Sequence, residues 1–175
     1  EGIKSSFKGV QIISQDPLVI ETYGDDYQLD AEMNVNTWWP NYASGSGAWH
    51  NLTPGILAER AGELGFSTIK AEGLSMGKMD YVSGPSLAIL KKYLDQALQN
   101  HFIPYEPTLG QYVSSSEASL RYANLSAWYA ERGHFWIGTG PFYLESATPA
   151  SGTLTLSRNP SFPDPANKWE RFITP

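Results

Sequence analysis

Strand-like alternation occupies both ends of the chain and helical spacing the middle. "FKGVQIIS" and "PLVIETYG" are rich in β-branched and aromatic residues, and Gln15-Asp16-Pro17 between them is a turn sequence, which predicts a pair of strands. "YQLDAEMNVNTWW" partly alternates and predicts a third strand, followed by a small, polar loop, "NYASGSGAWHN". Then the period lengthens. Thr53 and Pro54 supply an N-cap and a first helical position for "GILAERAGELGF", with Gly65 as the stop and "FSTIKA" as a short strand. In "SLAILKKYLDQALQN", Leu87, Leu90, Leu94 and Leu98 recur at spacings of three and four beside Ile89, giving one apolar face of a helix that ends at Asn100 or His101. "YEPTLGQYV" predicts irregular chain. "SSSEASLRYANLSAWYAERG" predicts another helix, with Ser and Glu at its start, Gly133 after its end, and Leu120, Ala123, Ala127, Tyr129 and Ala130 toward the core.

The period returns to two in "HFWIG", "GPFYLESA" and "TLTLSRN", the last two joined by "TPASG". Pro160, Pro163 and Pro165 then end regular structure. Strands at both ends with two or three helices between them define an α+β (mixed α/β) class without internal repeats.

Composition narrows the function. The chain has 175 residues, enough for one domain or two small lobes, and 41% of them are hydrophobic. Its net charge is −6, and no run of Lys or Arg exceeds Lys91-Lys92, so it lacks the basic face that nucleic-acid phosphates require. It has no cysteine, which excludes disulfides, thiolate metal sites and Cys nucleophiles and suits an extracytoplasmic bacterial protein. The apolar runs are far shorter than the roughly 20 residues of a membrane-spanning helix. The ends, Glu1 and "WERFITP", suggest a mature or excised piece of something larger.

Several strings invite a chemical reading. Gly73-Leu74-Ser75-Met76-Gly77 matches G-x-S-x-G, the strand-to-helix turn that exposes a serine nucleophile, and Asp80 or Asp95 with His101 or His134 would follow in hydrolase order. The context disagrees, because "KMDYVSGP" follows where a helix should begin. A surface loop is the alternative. Ser67-x-x-Lys70 is weaker still, since alternation places it on a strand. Gly138-x-Gly140 is half of a dinucleotide fingerprint, but Tyr143 occupies the third glycine position and no helix follows. His50, His101 and His134 have no partners at helical spacing, and the acidic cluster Asp25, Asp26, Asp30 and Glu32 lacks the spacing of a calcium loop. No metal or cofactor is expected. Six Trp and ten Tyr stand out. Trp38, Trp39 and Trp49, across the glycine-rich loop, suit a stacking platform for a sugar or peptide, or else the core.

One stretch is more specific. "GHFWIGTGPFYLESATPASGTLTLSRNPSFPDPANKW" resembles the signature region of family 5 extracellular solute-binding proteins, the oligopeptide and dipeptide receptors of ABC importers. That family shows a G-x-G-P-[FY] turn, a strand, a short turn, a second strand ending in R-N-P-x-[FY], and a Trp soon after. Here the matching positions are Gly138, Gly140, Pro141 and Phe142, then Arg158, Asn159 and Pro160, then Trp169. The helix ending in "YAERGH", the helix after "SGPS" and the pair "FKGVQIISQDPLVIETYGD" are also similar to segments of such receptors. A complete member is roughly three times longer, as two lobes require. The other lobe segments and the lipid-anchoring cysteine have no counterpart in this chain.

The resemblance implies an internal piece of a type II periplasmic-binding-protein-like receptor. Residues 1–137 would form a lobe II-like segment and 138–175 the crossover back toward lobe I, together one compact unit. It also implies non-catalytic capture of a small solute, a peptide by type, outside the membrane, with an ABC permease as partner of the full-length, lipid-anchored receptor. Gly138 and Gly140 would permit unusual backbone angles near a hinge, and Pro141 would stiffen the exit. Two other functions remain open on the residues alone: a serine hydrolase using Ser75, and a carbohydrate-binding module using the tryptophans.

Overall fold

The computed structural model describes residues 7–25, 29, 48–138 and 140–163. The chain divides into two compact units, Glu1–Asn41 and Tyr42–Pro175, so the boundary anticipated after residue 137 falls inside the second.

In the first unit, β1 (Phe7–Gln15) and β2 (Leu18–Gly24) form an antiparallel hairpin that turns at Asp16-Pro17, as the sequence predicts. The register places Ile12 opposite Ile20, Val10 opposite Thr22 and Gln15 opposite Leu18. Bulges after Phe7 and Ile12 keep Phe7, Val10, Ile12, Leu18 and Ile20 on one face, all of them exposed. Gln11, Glu21 and Tyr23 share the other face, where Tyr23 Oη donates to Glu21 Oε2 at 2.7 Å. The third strand expected over 27–39 lies, Leu29 apart, outside the described residues.

The second unit starts with α1 (Trp49–Arg60). It begins earlier than Thr53-Pro54 suggests, because Trp49 packs against the buried cluster and brings its turn into the helix. Pro54 is therefore internal and leaves His50 O without its helical donor, while Thr53 Oγ1 donates to Trp49 O at 2.8 Å. Next come β3 (Leu64–Gly65), α2 (Thr68–Gly73) and β4 (Gly77–Lys78), with β3 and β4 parallel. The strand expected at "FSTIKA" is a helix, because Ser67 Oγ accepts from Lys70 N–H at 3.1 Å and caps it. Gly65 lies in β3 and does not stop α1.

The core is built on α3 (Ser86–Gln99) and α5 (Ser115–Arg132), with the short α4 (Glu106–Leu109) in the segment expected to be irregular. On α3, Leu90, Leu94 and Ala97 are fully buried and Leu87, Leu98 and Ile89 partly so, matching the predicted face. Each buried leucine contributes about 2 kcal/mol. On α5, Ser114 caps the first turn by accepting from Glu117 N–H, but the expected core face is wrong. Leu120, Ala123, Ala127 and Ala130 are exposed, and the buried stripe is Ala118, Tyr122 and Leu125, with Tyr129 half-buried. The aromatic at 122 sets the rotation, with its hydroxyl donating to Phe102 O at 2.6 Å. Gly55 on α1 faces this core at a point where a Cβ would collide with Tyr81 Oη, Met79 Sδ and Phe66 Cζ.

Three successive helices end alike. After α1, α2 and α3, the residues Gly62, Ser75 and His101 adopt φ of 77°, 54° and 50°. In each case the next N–H reaches back five residues: Glu63 to Ala58 O, Met76 to Ala71 O and Phe102 to Ala97 O, at 2.8–3.0 Å. These Schellman turns reverse the chain tightly.

Residues 134–138 pair with no strand, contrary to the expectation for "HFWIG". Phe135 instead inserts into the core, its N–H donating to Tyr81 O at 2.7 Å and its ring stacked 4.4 Å from Tyr129. β5 (Phe142–Thr148) and β6 (Thr153–Arg158) close the described chain as an antiparallel hairpin joined through a 3-10 turn at Pro149–Ser151. The fold is α+β.

Candidate functional site

The two halves of the Gly-Pro and Arg-Asn-Pro motif meet in space. Phe142 pairs with Arg158 at the open end of the β5–β6 hairpin. One residue further on, Asn159 donates its backbone N–H to Pro141 O at 2.7 Å and its side-chain Nδ2–H to Gly140 O at 3.0 Å. Its Oδ1 accepts from Ser161 N–H at 3.1 Å and its carbonyl from Phe162 N–H at 3.2 Å. The amide side chain supplies the donor and the acceptor on separate atoms, one for each of these contacts. Pro160 follows as the turn residue. A Cβ on Gly138 or Gly140 would meet Phe142 O at 3.7 or 3.9 Å, an ordinary contact, and Gly138 is not left-handed. The clasp depends on Asn159 more than on the glycines.

Behind the clasp, α5 is bolted to β5. The Arg132 guanidinium lies 4.6 Å from the Trp128 ring centre and 4.5 Å from that of Tyr143, and its Nη1 is 2.6 Å from Glu145 Oε2. His134, 2% exposed, accepts Trp136 N–H at Nδ1 (3.1 Å), which leaves Nε2–H to donate to Leu144 O at 3.2 Å. Burial holds its pKa below the ordinary histidine value, and nearby Arg132 acts in the same direction. A neutral ring fixed between two backbone groups positions Trp136; it is not poised for proton transfer.

Trp136 forms one side of a cleft of about 450 Å3, opposite the loop that leads from β4 into α3. Ile89 and Leu64 add apolar wall. The loop is shaped by Asp80, whose Oδ1 accepts from Val82 N–H at 2.7 Å and Ser83 N–H at 3.1 Å while Oδ2 accepts from Ser83 Oγ at 2.9 Å. Ser86 Oγ donates to Lys78 O at 2.8 Å. Lys78 is exposed at the rim and pairs with no carboxylate among the described residues. The result is a cleft with an apolar wall, two serine hydroxyls satisfied within the loop, the buried Tyr81 hydroxyl without a partner among the described residues, and Lys78 and Asp80 as its charged groups, able to hold a small amphiphilic solute.

The residues singled out from sequence separate into groups. Gly140, Pro141, Phe142, Arg158, Asn159 and Pro160 come together at the clasp, with Gly138 beside it. Trp38, Trp39 and Trp169 lie outside the described residues. Trp49 is half-buried, with its ring edge-on to Tyr122 at 5.7 Å and the Arg121 guanidinium 5.9 Å away. Ser75 stands at the left-handed position of a helix end and leads into a strand, the reverse of a nucleophile elbow. No histidine hydrogen-bonds to it among the described residues; His101 Nδ1 meets Ser119 Oγ at 2.5 Å instead. Ser67 caps α2, and Lys70 pairs with Glu59 at 2.8 Å. Sequence reading missed Lys78 and Trp136. Trp136 lay hidden in a supposed strand, and only the glycine-rich "SMGKMDYVSGPS" hinted at a shaped loop. Among the described residues, no group of three His, Asp or Glu side chains is placed to hold a metal ion, and no helix is long and apolar enough to cross a membrane.

The chain matches no protein-family model, and no curated protein is similar to it.

Proposed function

We propose that this chain is part of a family 5 extracellular solute-binding protein, a non-catalytic component that captures a peptide-type solute outside the membrane for an ABC permease. One observation carries the reading. The family-like motif is split by a strand, a turn and a second strand, yet its halves are joined through Asn159. Matching letters arise by chance; matching letters that hydrogen-bond to each other across 19 residues are a stronger sign. In this reading the clasp fixes the direction in which the chain leaves one lobe for the other. The Lys78–Trp136 cleft offers an apolar wall to a solute side chain and a cation to its carboxylate. Closure of a second lobe would then strip water from the solute.

The test is the full-length parent. It is expected to carry a lipid-anchoring cysteine, to be encoded beside permease genes and to retain short peptides in native mass spectrometry. A parent without transporter neighbours that retains no peptide overturns the proposal. A fluorophosphonate label lost in Ser75→Ala would replace it with a hydrolase.

A further inference from the structure

Nine Lys and Arg side chains lie among the described residues. Six are ion-paired: Lys8, Lys70, Lys91, Lys92, Arg121 and Arg132. Among the described residues, Arg60, Lys78 and Arg158 pair with no carboxylate. In a chain of net charge −6, an uncompensated cation inside a concavity is unusual. Lys78 lines the cleft already described. Arg60 lines a second one, of about 410 Å3, with no lining residue in common.

This second cleft lies between the last turn of α1 and the chain that follows α3. Ile56, Phe66, Phe102, Pro104 and Tyr105 give it an apolar, largely aromatic side, and Glu59 and Arg60 a charged one. Phe66 is 36% exposed and Tyr105 74%. Tyr105 holds its ring there from a left-handed backbone, φ 52°, a conformation that costs a bulky residue about 1 kcal/mol. Two N–H groups, of Thr108 and Leu109, bond its carbonyl at 2.9 Å and hold that backbone in place. The one acid in the lining, Glu59, is already engaged: Lys70 Nζ is 2.8 Å from its Oε2, and Phe66 N–H donates to Oε1 at 3.0 Å. Glu106, next to Tyr105, does not line the cleft. The Arg60 guanidinium is left as its free charge, with a fork of donors suited to a carboxylate.

We infer that this cleft binds a small aromatic carboxylate, its ring among Phe66, Phe102 and Tyr105 and its carboxylate on Arg60. The size falls within the range of small-molecule sites. Charge decides the class: a neutral or cationic ring would leave the guanidinium unused or repelled. This inference is independent of solute capture at the Lys78 cleft.

The test uses phenylacetate and phenethylamine, which share a ring and differ in charge, with amide NMR of the whole chain. Phenylacetate is expected to shift the Phe66, Phe102 and Tyr105 amides saturably and to leave the Trp136 indole unmoved. Arg60→Gln should weaken it about tenfold or more, the loss of a charge-assisted contact, and Tyr105→Ala should weaken it with Arg60 intact. Phenethylamine should not bind. No saturable shift with phenylacetate, equal binding of both probes, or unchanged affinity in Arg60→Gln each overturns the inference. Arg60 is exposed, so its replacement leaves the fold intact for comparison.

Discussion

Asn159, just after β6, is tied to Gly140, just before β5, through one side-chain hydrogen bond, Nδ2–H to Gly140 O at 3.0 Å. Asn159→Asp keeps the size and the acceptor but removes that donor, and it places a carboxylate against a carbonyl. A loss of about 1–3 kcal/mol is expected, with faster hydrogen exchange confined to β5 and β6 amides. Unchanged exchange there would show that the backbone bonds alone close the hairpin.

Ser75 pays a conformational cost to end α2, since its φ of 54° is left-handed. Ser75→Gly should raise stability by up to about 1 kcal/mol, while Ser75→Val should lower it. Thermal melts of the two variants check the opposite signs. A fluorophosphonate probe should treat both like wild type.

The buried, neutral His134 makes stability depend on pH in a definite direction. Its folded pKa is depressed, so the unfolded chain takes up a proton first as pH falls. The contribution is complete above the ordinary histidine value of about 6.5 and declines as pH drops below it toward the folded value. A proton on Nδ1 would also face the Trp136 N–H. Between pH 7.5 and 5, wild type should therefore lose more melting temperature than His134→Asn, and equal slopes would contradict this.

Arg132 is held by its shape as well as its charge. Arg132→Lys keeps the Glu145 partner but loses a flat group that lies against both the Trp128 and Tyr143 rings, themselves edge-on at 5.8 Å. A destabilisation of about 1–2 kcal/mol is expected by urea unfolding, with a change in tryptophan emission from the half-buried Trp128. Glu145→Gln should cost less.

Where residue type acts locally, the sequence was legible. The leucine face of α3, the Ser114 cap of α5, the left-handed Gly133 and the Asp16-Pro17 turn all follow from spacing and turn chemistry. Elements set by tertiary contact were not. Trp49 draws α1 forward across Pro54, Tyr122 turns α5 away from its small residues, and Phe135 enters the core from what looked like a strand. A non-glycine in the left-handed region, as at Ser75 and His101, has no reliable mark in a single sequence. The candidate site shows the same division. The motif residues at the clasp could be named in advance, whereas the unpaired state of Lys78 and Arg60 depends on which carboxylates other cations have taken.

The β1–β2 ribbon has a consequence for how unfolding can be described. Two-stranded ribbons are marginal in water, and among the described residues this one has Val10, Ile12, Leu18 and Ile20 exposed on one face. Its amides should exchange by local opening, while those of α3, around Leu90 and Leu94, should wait for the helical unit to unfold as a whole. A melting curve followed by helix signal would then report only the second event, and the hairpin amides would need an unfolding free energy of their own.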